Sequence, residues 1–393
     1  MAQVDDLSLS LVALDQDSTL IAVIEMGLNA WLVAGLVPGV RRQPLKKIEP
    51  EPAALLRVLR RWREEAVKAG GAIRRIAVAF EAGRDGFWLA RLLRREGVEA
   101  HVIHPTSVAV SREHRRAKTD RLDTQHLMRA FLGWLRGEPK HCQMAALPSL
   151  EEEDARLPGR ERETLVKERT RIVNRIKSVL IRFGLRSFKP LLRNAEARLA
   201  ALRLPEGGPL PANTLCLLKR ELERLRLTQG QIRTIEAQRA AEVAAAKAAA
   251  ARGERSRREA AMLYLLIRIV GLAVETAQTL THEIFARRLR DRRAVARYAG
   301  LSGAPDESGK RRREKGLARA GNLRVRKCMI QLAWRFTRLQ KQSALAQWFF
   351  ARAAAAKTLR KTLIIALARK LLIALWRYVE LGVLPEGVAL RAA

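Results

Sequence analysis

Short apolar runs alternate with amphipathic helical segments over the first 135 residues, and this alternation restricts the fold more than any other feature of the sequence. Runs rich in β-branched residues predict strands at 18–25, 30–37, 45–49, 72–81 and 98–105. Segments with helical periodicity predict helices at 52–71, 85–97 and 119–135. The resulting order, β-β-β-α-β-α-β-α, predicts an α/β domain with a mixed sheet.

The rest of the chain is predicted to be mainly helical. Prolines and an acidic run after residue 143 predict a linker, and a basic amphipathic helix follows it. Apolar residues then recur at alternating three- and four-residue spacing, which is typical of a coiled-coil seam: Leu215, Leu218, Leu222, Leu225 and Ile232. We therefore expect an α/β domain at 1–143, a linker at 144–160, a basic-helix and coiled-coil region at 161–259, and a mainly α C-terminal domain at 260–393.

The charge of the chain predicts a polyanionic partner. Lys and Arg number 75 against 40 acidic residues, a formal net charge of +35 that is spread along the sequence. Nucleic acid is the expected partner. The acidic N-terminus lacks the order of a signal peptide, and no apolar run is long enough to span a bilayer, so we expect a soluble, cytoplasmic protein. Cys142, Cys216 and Cys328 show no metal-binding spacing and are expected to be reduced thiols.

Four carboxylates occupy positions where functional groups gather in α/β folds. Glu25 and Glu81 each end a predicted strand, and Asp120 and Asp123 lie one helical turn apart at the start of a predicted helix. Taken alone, the two aspartates would be assigned to capping, because acids complement a helix N-terminus. Four converging carboxylates repel one another unless cations bind them, and in a nucleic-acid-binding chain we expect Mg²⁺, as a pair of ions. The neighbouring cations predicted to hold the phosphate backbone are Arg115, Arg116, Lys118 and Arg121.

The stretches "FEAGRDGFW" at 80–88 and "KTDRLD" at 118–123 resemble the DEDD transposases of bacterial insertion sequences. The resemblance implies a RuvC-like version of the ribonuclease H fold for the first domain. It also implies that Glu25, Glu81, Asp120 and Asp123 are the catalytic metal ligands, for Mg²⁺ or for Mn²⁺ in its place. The family usually begins its tetrad with Asp. Glu25 reaches one methylene further, so we expect a shifted metal position.

A second motif lies at 292–327, a stretch dense in Arg and Lys whose glycines and proline predict loops. Taken alone, Ser308 in "DESGK" would be assigned to a turn. The order of a Ser-Gly pair, a basic run and a Gly-Asn pair is similar to the C-terminal domain of the same family. That similarity implies that Ser308 is a catalytic nucleophile that joins the protein to DNA. Ser302 is the rival serine, although no basic run follows it directly.

No His or Lys stands at a fixed spacing from Ser308 as a dedicated base. We therefore expect the metal to activate its hydroxyl, so that the two domains must meet, within one subunit or between subunits.

The resemblance further implies DNA partners, namely the ends of a mobile element and its target, and a structured guide RNA from the element. The remaining residues expected to contact nucleic acid are Arg169, Arg175, Lys310, Arg311, Arg312, Arg313, Asn322, Arg324 and Arg326. The coiled-coil seam and the need to bring two DNA segments together predict a homodimer or tetramer. The expected location is the nucleoid of a bacterial cytoplasm.

Two other functions are compatible with the sequence. One is a RuvC-like nuclease for DNA junctions that uses the four carboxylates and water; activity surviving Ser308→Ala would favour it. The other is a non-catalytic, basic nucleic-acid-binding protein whose acids cap helices. Unchanged function after Asp120→Ala would favour that second alternative.

Overall fold

The computed structural model describes residues 10, 12–81, 83, 86–104, 107–108, 120–138, 141–252, 258–287, 289, 291–308, 311–317, 320–355 and 360–391. For residues 120, 304–308, 311–315 and 360 the description is limited to the backbone. The chain divides into two compact units. The first, the α/β unit, comprises Met1–Ser149 and Arg287–Arg290, and the second, the helical unit, comprises Leu150–Ala286 and Asp291–Ala393.

The α/β unit is built on a mixed sheet. Its strands are β1 (Thr19–Met26), β2 (Trp31–Leu36), β3 (Leu45–Ile48), β4 (Arg75–Glu81) and β5 (Glu99–Ile103). They lie in the order β3-β2-β1-β4-β5, with antiparallel pairing among the first three and parallel pairing from β1 through β4 to β5. Helices α1 (Pro52–Lys68), α2 (Trp88–Arg95) and α3 (Asp120–Leu135) complete the element order that the sequence predicted.

The central strand β1 is apolar from Leu20 to Ile24 because both of its faces are covered there. Leu20 and Ile24 point into a core shared with α1 and α2, whereas Ile21 and Val23 point into a second core under α3. This alternation follows from the two-residue period of a strand. Burying each such side chain stabilises the unit by about 1.5–3 kcal/mol.

The helical unit confirms the expectation of a mainly helical remainder. Its first helices are α4 (Leu150–Asp154), α5 (Leu157–Ile181), α6 (Ala195–Ala200) and α7 (Ala212–Ala251). Then come α8 (Arg258–Arg268), α9 (Val274–Leu280), a π-helical turn (Thr281–Phe285) and α10 (Arg292–Tyr298). Strands β6 (Gly303–Ser308) and β7 (Arg311–Leu317) form a hairpin before α11 (Leu323–Leu339), α12 (Ala344–Ala355) and α13 (Arg360–Leu381). Among the described residues, no helix combines the length and apolarity needed to cross a lipid bilayer.

The seam predicted on α7 is buried inside the chain. Leu218, Leu222 and Leu225 pack with Ile172 and Ile176 of α5 in one apolar cluster. Further along, Ile232 and Ile235 pack with Leu165. The three- and four-residue spacing therefore serves the pairing of α5 with α7.

Two stretches differ from the sequence expectation. The predicted linker contains α4 and the start of α5, and before them Met144 bridges Ile103 at the edge of the sheet. The basic stretch predicted to be loop contains the β6–β7 hairpin. Neither strand carries the apolar alternation that identifies a half-buried strand from sequence.

Candidate active site

Glu25 and Glu81 lie side by side at the carboxyl edge of the sheet. The parallel register of β1 and β4 pairs Ile24 with Phe80, so the next residue of each strand reaches the same level. Ile24 and Phe80 point towards α1 and α2, and alternation turns both glutamates to the face that α3 covers. Both side chains are partly exposed.

Helix α3 runs antiparallel to β5, so its N-terminal turn extends towards the same edge. Near the C-terminal end of the helix, the Trp134 ring lies 4.7 Å from the ring of His101, which is in the middle of β5. One turn earlier, the Ala130 carbonyl accepts a hydrogen bond from the Cys142 thiol, beside the end of β5. Asp123 lies a further two turns towards the N-terminus, about 10 Å along the helix axis.

The donors at this edge suit a hard divalent cation, because Mg²⁺ prefers carboxylate oxygens. Among the described side chains, however, no three His, Cys, Asp or Glu residues approach closely enough to hold a metal ion. Glu25, Glu81 and Asp123 belong to that described set, whereas the side chain of Asp120 does not. The structure thus brings the two glutamates to one edge without bringing Asp123 into a cluster with them.

Ser308 is the last residue of β6. Its backbone pairs with Arg311 across the hairpin, and the preceding register sets Glu307 opposite Arg312 and Asp306 opposite Arg313. Lys310, predicted to contact nucleic acid, lies outside the described residues, as do Arg115, Arg116 and Lys118.

Comparison with known proteins relates both units to transposases. Residues 46–184 match the family model DEDD_Tnp_IS110, described as "Transposase", and residues 263–348 match the model described as "Transposase IS116/IS110/IS902 family". Over 372 residues the chain is 40% identical to the protein named "Putative transposase y4rJ" of Sinorhizobium fredii (strain NBRC 101917 / NGR234), covering 94% of this chain and 93% of that one. The chain belongs to the IS110/IS116/IS902 family of transposases.

Membership makes this transposase a DNA-cleaving recombination enzyme with a DNA substrate, and its DEDD domain makes it dependent on a divalent metal. The DEDD match contains Glu81, Asp120 and Asp123. Because the match begins at residue 46, Glu25 precedes it. The position of Glu25 beside Glu81 is therefore what relates it to the DEDD site of this transposase.

The Gly-Asn pair of the transposase has a structural role in the helical unit. Asn322 caps α11: its Oδ1 accepts from the backbone amides of Arg324 at 3.0 Å and Val325 at 3.3 Å. Gly321 has φ +89°, and a Cβ there would lie 2.5 Å from the backbone nitrogen of Gly300. This glycine is required by both its left-handed conformation and the close approach of two backbones.

A buried carboxylate that the sequence did not predict as functional anchors that cap. Glu283 in the π-helical turn is 5% exposed and accepts from Arg160 through two bonds of 3.0 and 3.1 Å. The Asn322 amide donates to the same carboxylate at 3.0 Å. Burial alone would raise the pKa of Glu283, but the hydrogen bonds and charge of Arg160 outweigh burial and lower it. The single acid of the stretch "THEIF", followed directly by Ile284 and Phe285, was the signal available in the sequence.

Several arginines expected to contact nucleic acid bind partners within the chain. Arg175 pairs with the buried Glu221 at 2.8 Å, Arg324 pairs with Glu163, and Arg326 donates to the Ala320 carbonyl at 3.3 Å. Arg169 is partly exposed and Arg121 is exposed, whereas for Arg311, Arg312 and Arg313 the backbone alone is described. An arginine in an ion pair can still donate a hydrogen bond to a phosphate, because its guanidinium has five donors.

The turn around Gly271, between α8 and α9, is held by side chains of the helical unit. Arg335 donates to the Gly271 carbonyl at 3.3 Å, and Gln340 donates to the Val270 carbonyl at 2.8 Å. Gly271 itself has φ +94°. These contacts give the turn a structural role in joining α9 to α11.

Proposed function

We propose that this transposase cuts and rejoins DNA strands with Mg²⁺ bound by Glu25, Glu81, Asp120 and Asp123, and with Ser308 as the nucleophile. In this proposal the α/β unit is a RuvC-like member of the ribonuclease H fold. The observation that supports it most is the adjacency of Glu25 and Glu81 at the ends of parallel strands, on the face covered by α3. Asp120 and Asp123 begin that helix, at its end nearer the same edge.

The chemistry divides between the two glutamates, the two aspartates and the serine. The four carboxylates close around the cation site when DNA binds, which brings the first turn of α3 towards the glutamates. When bound there, a divalent cation would supply Lewis acidity to the reacting phosphate and to the Ser308 hydroxyl. The Ser308 oxygen attacks the phosphorus and loses its proton, the bond from phosphorus to the leaving sugar oxygen breaks, and that oxygen takes up a proton to leave as a hydroxyl. The phosphoserine ester that results keeps the energy of the broken bond for rejoining.

Nucleic-acid binding rests on the charge of the chain. Arg121 and Arg169 are accessible for phosphate contact, and the basic run at 310–313 follows Ser308 directly. We propose that a structured RNA from the element selects the DNA sites, and that two or four copies hold the two DNA segments together. Ser308 and the carboxylates then meet within one subunit or between subunits.

Substitution at the carboxyl edge of the sheet tests this function. Glu81→Gln and Glu25→Gln remove a charge with little change in shape, and each should slow Mg²⁺-dependent cleavage of element-end DNA by about 100-fold or more, equivalent to about 2.7 kcal/mol of transition-state stabilisation. Glu25→Asp, which installs the residue usual in the family, should keep activity. Asp15→Asn is the matched control, because Asp15 precedes β1 at its opposite end and bonds Ser18 there.

DNA binding, measured separately, should be retained in all four variants because none of them removes a lysine or arginine side chain. Cleavage that persists in both Gln variants would refute the assignment of Glu25 and Glu81. An equal loss of cleavage in Asp15→Asn would also refute it, because removing any acid of the α/β unit would then have the same effect as removing Glu25 or Glu81.

A further inference from the structure

The helical unit contains a polar cavity of about 320 Å³. The start of α5, the middle of α7, α9 with the π-helical turn, and α11 form its wall. Its volume lies at the small end of the range for ligand sites, about 300–1,000 Å³. Among the residues whose side chains the structure describes, Glu25, Glu81 and Asp123 do not contribute to the wall.

Buried polar groups in the wall lack partners among the residues that the structure describes. Gln278 is 4% exposed: its Nε2 donates to Glu242 at 2.8 Å, but its Oε1 accepts no hydrogen bond. The Nδ1 atom of His282 is likewise buried without a partner. Leaving a buried polar atom unsatisfied costs about 1–3 kcal/mol, so atoms of this kind are usually satisfied by a ligand or by ordered water.

Arg239 contributes a buried guanidinium without a directly bonded partner. It is 7% exposed, and within the described part of the chain no hydrogen bond or salt bridge engages it, although the charges of Glu275, Glu242 and Glu236 act on it from a distance. Its Nη2 lies against α5 at Gly159, where a Cβ would approach to 3.4 Å. A buried cation without a direct counter-ion is costly, and its position on the wall directs its donors to whatever occupies the cavity.

The mixture of groups indicates the class of ligand. The wall carries five cations and four carboxylates, and three of the carboxylates (Glu163, Glu275 and Glu283) pair with arginine or lysine. Burial lowers the pKa of His282 and keeps its imidazole neutral, with one donor and one acceptor nitrogen. A nearly neutral site that offers both donors and acceptors suits an uncharged, hydrogen-bonding ring better than a bare phosphate.

A nucleobase has that pattern along its edge, and the planar guanidinium of Arg239 offers it a stacking surface. The exposed Lys327, on the rim of the cavity, forms no ion pair with another described residue. Its ammonium group can pair with the phosphate of a nucleotide whose base lies in the cavity. We infer that this cavity binds one nucleotide extruded from the DNA strand on which the transposase acts. Enzymes that hold a base outside the duplex read its edge with buried polar groups of this kind.

The inference is tested with full-length protein, the adjoining non-coding RNA of the element, and element-end DNA that carries 2-aminopurine at successive positions. This base fluoresces weakly when stacked and brightly when unstacked. The test variants are Arg239→Met and Gln278→Met, which remove the polar groups while keeping side-chain length. Arg233→Met is the matched control, since Arg233 is an exposed arginine of the same helix outside the cavity. Thermal unfolding of each variant establishes that the helical unit is folded.

The expected result is a several-fold rise in fluorescence at one position of the DNA on binding, retained in Arg233→Met. In the two test variants the rise is lost and the affinity for that DNA falls by about 10-fold or more, the loss associated with one buried, charged hydrogen bond. Glu81→Gln, which fails to cut but still binds, should keep the fluorescence rise, so the cavity and the proposed active site are tested separately.

Three results would overturn the inference. A cavity that holds only ordered water would give no rise at any position. A rise of equal size in folded Arg239→Met and Gln278→Met would place the unstacked base elsewhere. A response with RNA but not with DNA oligonucleotides would refute the assignment to the DNA strand.

Discussion

Glu283→Gln should lower the free energy of unfolding of the helical unit by about 3 kcal/mol. The wild-type carboxylate is buried and accepts two bonds from Arg160 and one from Asn322. Glutamine keeps one acceptor oxygen but turns an NH₂ group towards those donors. Breaking a buried ion pair costs about 3–5 kcal/mol. The Arg160 side chain is 46% exposed and regains water, which brings the loss to the lower end of that range.

The pH dependence gives this prediction a second readout. The folded-state pKa of Glu283 lies below its ordinary value of 4.5. Its stabilisation is therefore fully present above the unfolded value and is lost as the pH falls through the lower folded-state pKa. The difference between wild type and Glu283→Gln should be constant near neutral pH and should shrink below pH 4.5.

Urea unfolding followed by helical circular dichroism measures the difference, with Glu196→Gln as the control. Glu196 pairs with Arg226 at 2.5 Å, but both side chains are about half exposed, so its loss should cost no more than about 1 kcal/mol. Equal destabilisation in the two variants, or a Glu283→Gln difference that is unchanged below pH 4, would refute the reasoning about the buried carboxylate.

Three further substitutions or modifications have defined outcomes. Gly321→Ala should destabilise the protein by about 2 kcal/mol or more, because Gly321 has a positive φ and its backbone lies against Gly300. Gly207→Ala should cost only about 1 kcal/mol, because Gly207 has φ +91° but open space around it. Thermal unfolding compares the two variants. Burial raises the pKa of the Cys142 and Cys328 thiols to about 12, so an alkylating reagent at pH 8 should modify the exposed Cys216 first. Mass spectrometry follows the modification of each cysteine, and rapid modification of all three would contradict this. Burial alone would raise the pKa of Glu99, but hydrogen bonds from His101 and Arg75 lower it to about 2. Glu99→Gln should therefore have a lower melting temperature than wild type at pH 6, and the difference should vanish as the pH falls from 4.5 to about 2. A difference in melting temperature that persists at pH 2 would contradict this.

The architecture of the α/β unit was predictable because its elements are local. Each strand is a contiguous apolar run and each helix has its own periodicity, so the order of elements follows from the sequence, and the mixed sheet confirms it. The adjacency of Glu25 and Glu81 was also accessible, because both end strands that pair in parallel.

Features that join distant residues were not predictable in this way. The Glu283 carboxylate meets Arg160 from 123 positions away and Asn322 from 39 positions away, and no local pattern encodes either contact. The apolar spacing on α7 predicted a helical seam, but it carried no information that α5 would cover it. The β6–β7 hairpin was missed because its strands are polar and lack the apolar alternation that identifies a half-buried strand.

The central claim is that Ser308 and the four carboxylates act as one composite site, and a strand-transfer assay tests it most directly. Element-end DNA, the adjoining non-coding RNA and Mg²⁺ are incubated with wild type, Ser308→Ala, Ser302→Ala and Asp123→Ala, and protein joined to DNA is resolved on denaturing gels. The proposed mechanism predicts a covalent adduct with wild type and Ser302→Ala that is absent with Ser308→Ala and Asp123→Ala. Cleavage without any adduct, undiminished in Ser308→Ala, would contradict it and would mean that the carboxylates direct hydrolysis by water.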